Sequence, residues 1–155
     1  MRDGGLRVYE RLESRGMNIE IFALCDAATE SSGKVNILGA FDTLASREAP
    51  VTLAHCAVAL RVRFKRIESG AHAVRIAIVD ADGRAVIPAF QTTMNIRVPE
   101  PQESSVANLI LNLQQVKLGG FGRYAVDLAV DGREAGSLPF HVRQLTNPSM
   151  EPQQP

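Results

Sequence analysis

Apolar and polar residues alternate with a period of two along most of this chain, most clearly in residues 122–143. Asp131-Gly132 divides that segment into two alternating halves. An Asp-Gly pair between alternating segments is typical of a two-residue β-hairpin. The segment therefore predicts two antiparallel strands whose inward-facing positions are Tyr124, Val126, Leu128, Val130, Leu138, Phe140 and Val142.

The same alternation predicts about eight strands in total. In residues 56–66 the even-numbered positions from Cys56 to Phe64 are apolar, while Arg61, Arg63 and Lys65 occupy the other phase. Shorter alternating segments are 19–25, 34–41, 73–79, 94–98 and 106–116. A helix would also bring Leu109, Leu113 and Val116 of the last segment to one side, but its alternating asparagines favour a strand.

Gly, Pro, Asp and Ser turns separate these segments, and no long amphipathic helix lies between them. Parallel βαβ units are therefore excluded. The pattern predicts an all-β fold, an antiparallel two-sheet β-sandwich of Greek-key, immunoglobulin-like type. Leu118, Gly122 and Tyr124 resemble the tyrosine corner of such sandwiches, in which a Tyr hydroxyl bonds to nearby backbone.

The two ends of the chain differ from its centre. Residues 1–16 are predicted to be an extension that is flexible or forms a short helix, and residues 17–143 are predicted to be the sandwich domain. Residues 144–155 are polar and rich in proline, and we expect them to be disordered. One hypothesis makes Met17 the true start, which the intact mass of the native protein tests.

Composition limits the classes of partner. The 17 basic and 17 acidic residues cancel, Trp is absent and only two Tyr are present. Proteins that bind nucleic acid or anionic lipid usually carry excess positive charge, so we expect neither partner. Cys25 and Cys56 are predicted to be buried free thiols in a reducing compartment, a disulfide between neighbouring strands being the alternative. Without a signal peptide or an apolar span, the chain is predicted to be cytoplasmic.

Three blocks resemble a family of small bacterial proteins known only as a domain of unknown function. They are MNIEIFALCDAATESSGKVNILGAFDT at 17–43, CAVALRVRF at 56–64 and RYAVDLAVDG at 123–132. The resemblance covers about residues 17–143. It implies a bacterial, all-β protein and transfers no catalytic residue.

Motifs for catalysis, metals or cofactors are weak. His55, His72 and His141 form no metal-ligand pair and lack an accompanying nucleophile motif, so we expect solvated or edge histidines. Asp80-x-Asp82-Gly83 lacks the other ligands of a calcium loop, and Gly119-Gly120-Phe121-Gly122 lacks the helix of a phosphate loop. No catalytic residue, metal or cofactor is predicted, and the protein is interpreted as non-enzymatic, although this is left open.

One charged cluster is retained as a candidate site. Arg61, Arg63 and Lys65 point the same way from one strand, and Arg75 on the next strand could join them, as could Arg97. Such a basic stripe could bind phosphate or an acidic protein surface. The alternative, that outward charges only keep a sheet face soluble, carries more weight.

The favoured function is a binding or assembly module that acts through a sheet face or edge. The outward phase is rich in alanine, which would leave a smooth face for a protein partner or a second copy; these positions are Ala57, Ala59, Ala73, Ala77, Ala125 and Ala129. The alternative is a small-ligand-binding protein or an enzyme. Its site would be built at one end of the sandwich from loops 26–33, 42–55 and 99–105.

Overall fold

The computed structural model describes residues 16–146, in which nine strands and one short 3₁₀ turn (Arg66–Glu68) form the fold. The strands are β1 (Asn18–Ser31), β2 (Lys34–Ala40), β3 (Thr43–Ser46), β4 (Val51–Lys65), β5 (Gly70–Asp80), β6 (Phe90–Ile96), β7 (Ser104–Leu118), β8 (Gly122–Val130) and β9 (Arg133–Gln144). The predicted N-terminal extension lies almost wholly outside the described residues, as does most of the predicted tail. In the described part, no helix is long and apolar enough to cross a membrane.

The strands form two sheets, and the predicted all-β sandwich is confirmed. The four-stranded sheet has the order β2-β1-β4-β7, and the five-stranded sheet has the order β3-β9-β8-β5-β6. β4 and β7 are neighbours although β5 and β6, which separate them in sequence, pair in the other sheet. This crossing between sheets is the Greek-key connection of immunoglobulin-like sandwiches.

The core lies between the sheets and is built from the predicted inward phase. The even-numbered residues from Cys56 to Phe64 pack there against Val74, Ile76 and Ile78 of β5 and against the even-numbered residues from Tyr124 to Val130 of β8. The β8–β9 hairpin turns at Asp131 and Gly132, whose φ angles of 51° and 77° fit a type I′ turn. The tyrosine corner is present, because the Tyr124 hydroxyl donates a hydrogen bond of 2.7 Å to the Gly120 carbonyl oxygen.

β3 falls within residues 42–55, a segment that the sequence predicts to be a loop. β3 is only four residues long and pairs in parallel with the end of β9, from Thr43↔His141 to Ser46↔Gln144. It is a parallel exception to the antiparallel prediction. A strand this short has no readable alternation, and its partner lies about a hundred residues away, so local pattern could not reveal it.

The β1–β2 hairpin bends away from its own sheet. β1 pairs with β4 as far as Cys25↔Ala57, and from there it continues with β2 alone. Opposite Asp26, Gly39 has a φ of +66°, and a Cβ at Gly39 would collide with the Asp26 carboxylate. Glycine inside a strand commonly marks such a bend. We call residues 26–40 the hairpin arm.

Candidate functional site

The structure brings part of the predicted basic stripe together. Arg61 and Arg63 lie on the outer face of the four-stranded sheet, and Lys65 follows them in the same phase at the end of β4. Arg75 lies on β5 and Arg97 directly follows β6, both strands of the other sheet. The expectation that these two residues join the stripe is therefore wrong, because the chain changes sheets between β4 and β5.

Arg61 and Arg63 share one carboxylate, that of Glu20. The register of β1 against β4 shifts between Ile19 and Ile21, so Glu20 is the extra residue of a β-bulge. Bulges commonly redirect a side chain. Here the Arg61 and Arg63 Nε atoms lie 2.9 and 2.7 Å from the two Glu20 oxygens. The hydrogen bond from Arg63, followed by that from Arg61, outweighs partial burial and lowers the pKa of Glu20.

Arg61 and Asn108 hold the tip of the hairpin arm, and Arg63 reaches the start of β7. Arg61 Nη1 donates to the Gly33 carbonyl oxygen at 3.1 Å and to Asn108 Oδ1 at 3.2 Å. Asn108 Nδ2 donates to the same Gly33 oxygen, also at 3.1 Å. Arg63 Nη1 donates to Ser104 Oγ at 2.9 Å. We call this group the arginine clasp; its members are Glu20, Gly33, Arg61, Arg63, Ser104 and Asn108.

In the arginine clasp, Arg61 and Arg63 of the predicted stripe bind groups of their own chain. Both guanidinium groups are directed at acceptors of the same chain, and the Arg61 side chain is only 23% exposed. The arrangement fastens β1, β4, β7 and the arm tip to one another. The sequence could not reveal this, because Glu20 and Gly33 are brought to Arg61 by a bulge and a bend that leave no local pattern.

The arm covers the alanine-rich face of the four-stranded sheet. Cys25, Ala28, Ala57 and Ala59 form a second buried cluster, packed against Ile21, Val35 and Ile110. Ala57 and Ala59 are 0% exposed. The predicted open, smooth face is therefore wrong for these two residues, and the outward prediction is also wrong for Ala77 of β5, which is 3% exposed. The small side chains of Ala57 and Ala59 let the protein's own hairpin lie close to the sheet, in the place where the sequence suggested another subunit.

Both cysteines are buried free thiols, as predicted. They lie on neighbouring strands, but Cys56 belongs to the core between the sheets and Cys25 to the cluster under the arm. The two side chains therefore point to opposite faces of one sheet. Burial raises the pKa of Cys25 and raises the pKa of Cys56 to about 11, so both thiols are held protonated at neutral pH.

The opposite side of the four-stranded sheet ends in β7, a long strand in which Gln115 has a left-handed φ of 53°. β7 pairs with β4 over its whole length, from Val51↔Leu118 to Lys65↔Ser104, and no described strand pairs with its second side. Its first twelve residues, 104–115, include no charged residue, proline or glycine. We call residues 104–115 the β7 edge.

Edge strands are normally shielded from unwanted pairing by charge, proline, bulges or brevity. The other described edge strands follow this rule better: β2 has seven residues and begins at Lys34, β3 has four, and β6 has seven and lies between prolines in sequence. On the β7 edge, Leu109, Leu111 and Leu113 pack against the core but stay half-buried. The β7 edge thus offers free backbone groups next to apolar side chains.

His72 is not the solvated histidine that the sequence predicts. Its ring stacks on Phe64, its Nδ1 lies 2.6 Å from Asp131 Oδ2, and its Nε2 lies 2.6 Å from the Glu68 carbonyl oxygen. Burial alone would lower the pKa of His72, but the Glu68 and Asp131 acceptors outweigh it and raise this pKa. Hydrogen bonding to His72 lowers the pKa of Asp131. No nucleophile is placed beside the pair by any contact given for the described residues.

The loop regions give two shallow grooves. One, of about 450 Å³, lies between β1 and β9, and Asp42 is the single charged residue among those lining it in the described chain. The other, of about 500 Å³, is lined by Asp80, Asp82, Lys117, Arg123 and Tyr124, with the glycines of residues 119–122. Asp80 Oδ1 accepts hydrogen bonds from the backbone of Asp82 and Arg84, so this carboxylate serves its own turn.

Two of the three predicted site loops are largely strand. Residues 26–31 belong to β1, and residues 42–55 contain β3 and the start of β4. Within residues 16–146, no group of three His, Cys, Asp or Glu side chains could hold a metal ion. Two of the three segments that were to form the loop-built site are therefore mostly paired in the sheets.

Comparison with solved structures gives distant likenesses. The Pseudomonas fluorescens alkylpurine DNA glycosylase AlkC, bound to DNA containing an abasic site analog, is 12% identical with a TM-score of 0.47, covering 83% of this chain and 30% of that one. The β-glucosidase of Listeria innocua, in complex with isofagomine, is 11% identical with a TM-score of 0.43, covering 81% and 17%. The C-terminal domain of wzt is 14% identical with a TM-score of 0.43, covering 84% and 75%.

This chain thus spans less than a third of the glycosylase and glucosidase chains. No curated protein matches it. One family model matches residues 20–143, the segment that contains all nine strands except the ends of β1 and β9. The chain belongs to the family of unknown function DUF6941.

Proposed function

We propose that this protein is a non-enzymatic binding module. It binds an extended segment of its partner, which pairs with the β7 edge as an additional strand. The observation that carries the proposal is the long, uncharged second side of β7, which no described strand pairs with. An extended segment placed there would satisfy the free backbone groups by main-chain hydrogen bonds. It would also cover the half-buried Leu109, Leu111 and Leu113.

Other surfaces support the same choice by elimination. The alanine-rich face of the four-stranded sheet is occupied by the hairpin arm, and Arg61 and Arg63 of the predicted stripe are engaged in the arginine clasp. Within the described chain, the groove between β1 and β9 has a single charged residue in its lining, and in the second groove Asp80 and Tyr124 are hydrogen-bonded to backbone of their own turns. Among the edge strands of the described residues, β7 is the longest, and no described strand pairs with its second side.

We also propose that the protein works in a reducing, cytoplasmic compartment of a bacterium. Its two cysteines are buried and free, and the fold forms a full core without a covalent link. This is the usual condition of thiols in the cytosol. The family resemblance of the sequence supports the bacterial origin.

Site-specific photo-crosslinking in cells that express the protein at native level tests the β7 edge. A photoreactive residue replaces Gln114, which is exposed on β7, and the matched control replaces Gln91, which is exposed on the edge strand β6. We expect one discrete covalent adduct from position 114 and none from position 91. Asn112→Lys, which places a charge on the edge, should reduce the adduct several-fold.

Equal adducts from positions 114 and 91, or no adduct from position 114, would contradict the proposal. Circular dichroism of the purified Asn112→Lys variant must match that of the wild type, so that loss of the adduct reports on the edge and not on unfolding.

A further inference from the structure

We infer that the strand bound at the β7 edge is β7 of a second copy of this chain, in antiparallel orientation. This inference rests on the proposed function and adds the identity of the partner. The sequence of residues 108–112 is Asn-Leu-Ile-Leu-Asn, which reads the same in both directions. Two antiparallel copies of such a segment can pair so that like residues meet, which is what a two-fold symmetric interface requires.

The two-fold axis would pass between the two copies of Ile110. Each Asn108 would then lie opposite Asn112 of the second copy, and each Leu109 opposite Leu111. Residues directly opposite in an antiparallel pair are about 4.5–5.5 Å apart, which suits apolar contact between leucines. The Asn108 amide already contacts Arg61 and Gly33, and its second N–H can donate to Asn112 of the second copy. Both interactions use residues that the structure already places at the correct faces of β7.

The two faces of the paired strands agree with the two environments of a sandwich. Leu109 and Leu111 lie on the core side of β7, so the pair would extend the core across the interface. Asn108 and Asn112 lie on the outer side, as their register opposite Arg61 and Ala57 requires. A one-residue slip of the register would place asparagine opposite leucine and lose this agreement.

Charge also favours a second copy. Over residues 104–115 the strand has no charged side chain, so two identical edges can approach without repulsion. Lys117 is the single charged residue of β7, and it lies outside the nine residues, 106–114, that the symmetric register pairs around Ile110. The result would be a continuous eight-stranded sheet that ends at β2 of each copy.

Cysteine crosslinking of the purified full-length protein tests this register. Only a residue on the axis can form a disulfide with its own counterpart, so Ile110→Cys should form a covalent dimer under mild oxidation. Val106→Cys and Gln114→Cys, four residues to either side, should each stay monomeric on a non-reducing gel. Mixed together, these two variants should crosslink, because position 106 faces position 114 of the second copy.

The wild type is the background control, since its own Cys25 and Cys56 are 0% exposed and should give no crosslink. Sedimentation velocity of the wild type at micromolar concentration should show a dimer. A strict monomer, or equal crosslinking of Val106→Cys alone and Ile110→Cys, would overturn the inference.

The adduct from position 114 in cells separates this inference from the proposed function. An adduct with twice the mass of the chain supports both. An adduct with a different protein, together with a monomer in sedimentation, overturns the second copy as partner and leaves strand addition at the β7 edge standing. Absence of an adduct overturns both.

Discussion

The outer faces of the two sheets have similar sequences but different surroundings. On the four-stranded sheet, Ala57 and Ala59 are 0% exposed. On the five-stranded sheet, Ala73 is exposed, Ala125 and Ala129 are half-buried, and Ala77 is buried. All six alanines alternate with core residues in the same way. The burial of Ala57 and Ala59 arises from the hairpin arm, which packs on them and whose tip is held by Arg61 and Asn108.

Alternation therefore reports which side of a strand faces the core, but not what covers the other side. The covering element depends on one bend at Asp26 and Gly39 and on one clasp at Glu20. Both are distant in sequence from the alanines that they bury. Variants that act on the arm should therefore change one face and leave the other unaffected.

The largest expected effect comes from a charged side chain under the arm. Ala59→Arg must either bury a cation without a partner or displace the arm, and we expect a loss of about 3 kcal/mol in the free energy of unfolding. The matched variant Ala73→Arg, on the exposed face of the other sheet, should cost less than about 0.5 kcal/mol. Urea denaturation measures both. Equal losses would mean that the arm does not distinguish the two faces.

A substitution at the bend should lower the free energy of unfolding nearly as much. Gly39→Ala combines a φ of +66° with a collision against the Asp26 carboxylate, and we expect it to cost about 2 kcal/mol. Gly33→Ala, at the arm tip, has a φ of +74° but no atom within 4 Å of the added Cβ. Its cost should be limited to backbone strain, about 1 kcal/mol. Thermal or urea unfolding that ranks Gly33→Ala above Gly39→Ala would contradict the bend.

Amide hydrogen exchange gives a second measurement on the same two variants. Faster exchange should be confined to residues 26–40 in Gly39→Ala, while the β8–β9 hairpin should exchange as in the wild type. Acceleration spread evenly over both sheets would show that the arm is not a separate element.

Much of the fold could be predicted from the sequence because it depends on local pattern. The alternation of β4, β8 and β9, the Asp131-Gly132 turn and the tyrosine corner at Tyr124 are all readable within a few residues. The inward phase of β4 is also correct, since the residues from Cys56 to Phe64 that were expected inside are buried.

The candidate site could not be predicted in the same way, because it depends on contacts between distant segments. The bulge at Glu20 converts the stripe at Arg61 and Arg63 into a clasp, and the change of sheet after β4 removes Arg75 from it. The free side of β7 is a property of sheet order, which alternation does not contain. Only its lack of charge is visible in the sequence, and that signal has meaning only once the strand is known to be an edge.

A smaller effect is expected at the clasp. Glu20→Gln removes the charge that Arg61 and Arg63 share, and we expect a loss of about 1 kcal/mol at neutral pH, because the group is partly solvated. Since the pKa of Glu20 is lowered in the folded state, its contribution is present above the ordinary Glu pKa and is lost as the pH falls through the lowered value. The stability of the wild type should therefore approach that of Glu20→Gln in acid. Arg75→Gln, on the other sheet, is the control and should change little at any pH.

The smallest expected effect belongs to His72, and its pH dependence has the opposite sign. Both ring nitrogens face acceptors, the Asp131 carboxylate and the Glu68 carbonyl, so only the protonated ring can donate to both. With a raised pKa, His72 contributes stability that is complete below the ordinary His pKa and is lost as the pH rises through the raised value. Asp131, whose pKa is lowered, contributes above the ordinary Asp pKa and loses its contribution as the pH falls.

The pair should thus be strongest between about pH 4 and pH 6.5, the ordinary pKa values of Asp and His. His72→Gln should lower the free energy of unfolding by about 0.5–1 kcal/mol at about pH 5.5, and by less at about pH 9, because half of the Asp131 side chain is in solvent. His141→Gln, at an exposed position, should change little at either pH. If the losses in the free energy of unfolding caused by Glu20→Gln and by His72→Gln depended on pH in the same way, the two sheets would not carry separate charge clusters. An effect of Glu20→Gln lost in acid, with an effect of His72→Gln lost in alkali, would assign one cluster to each sheet.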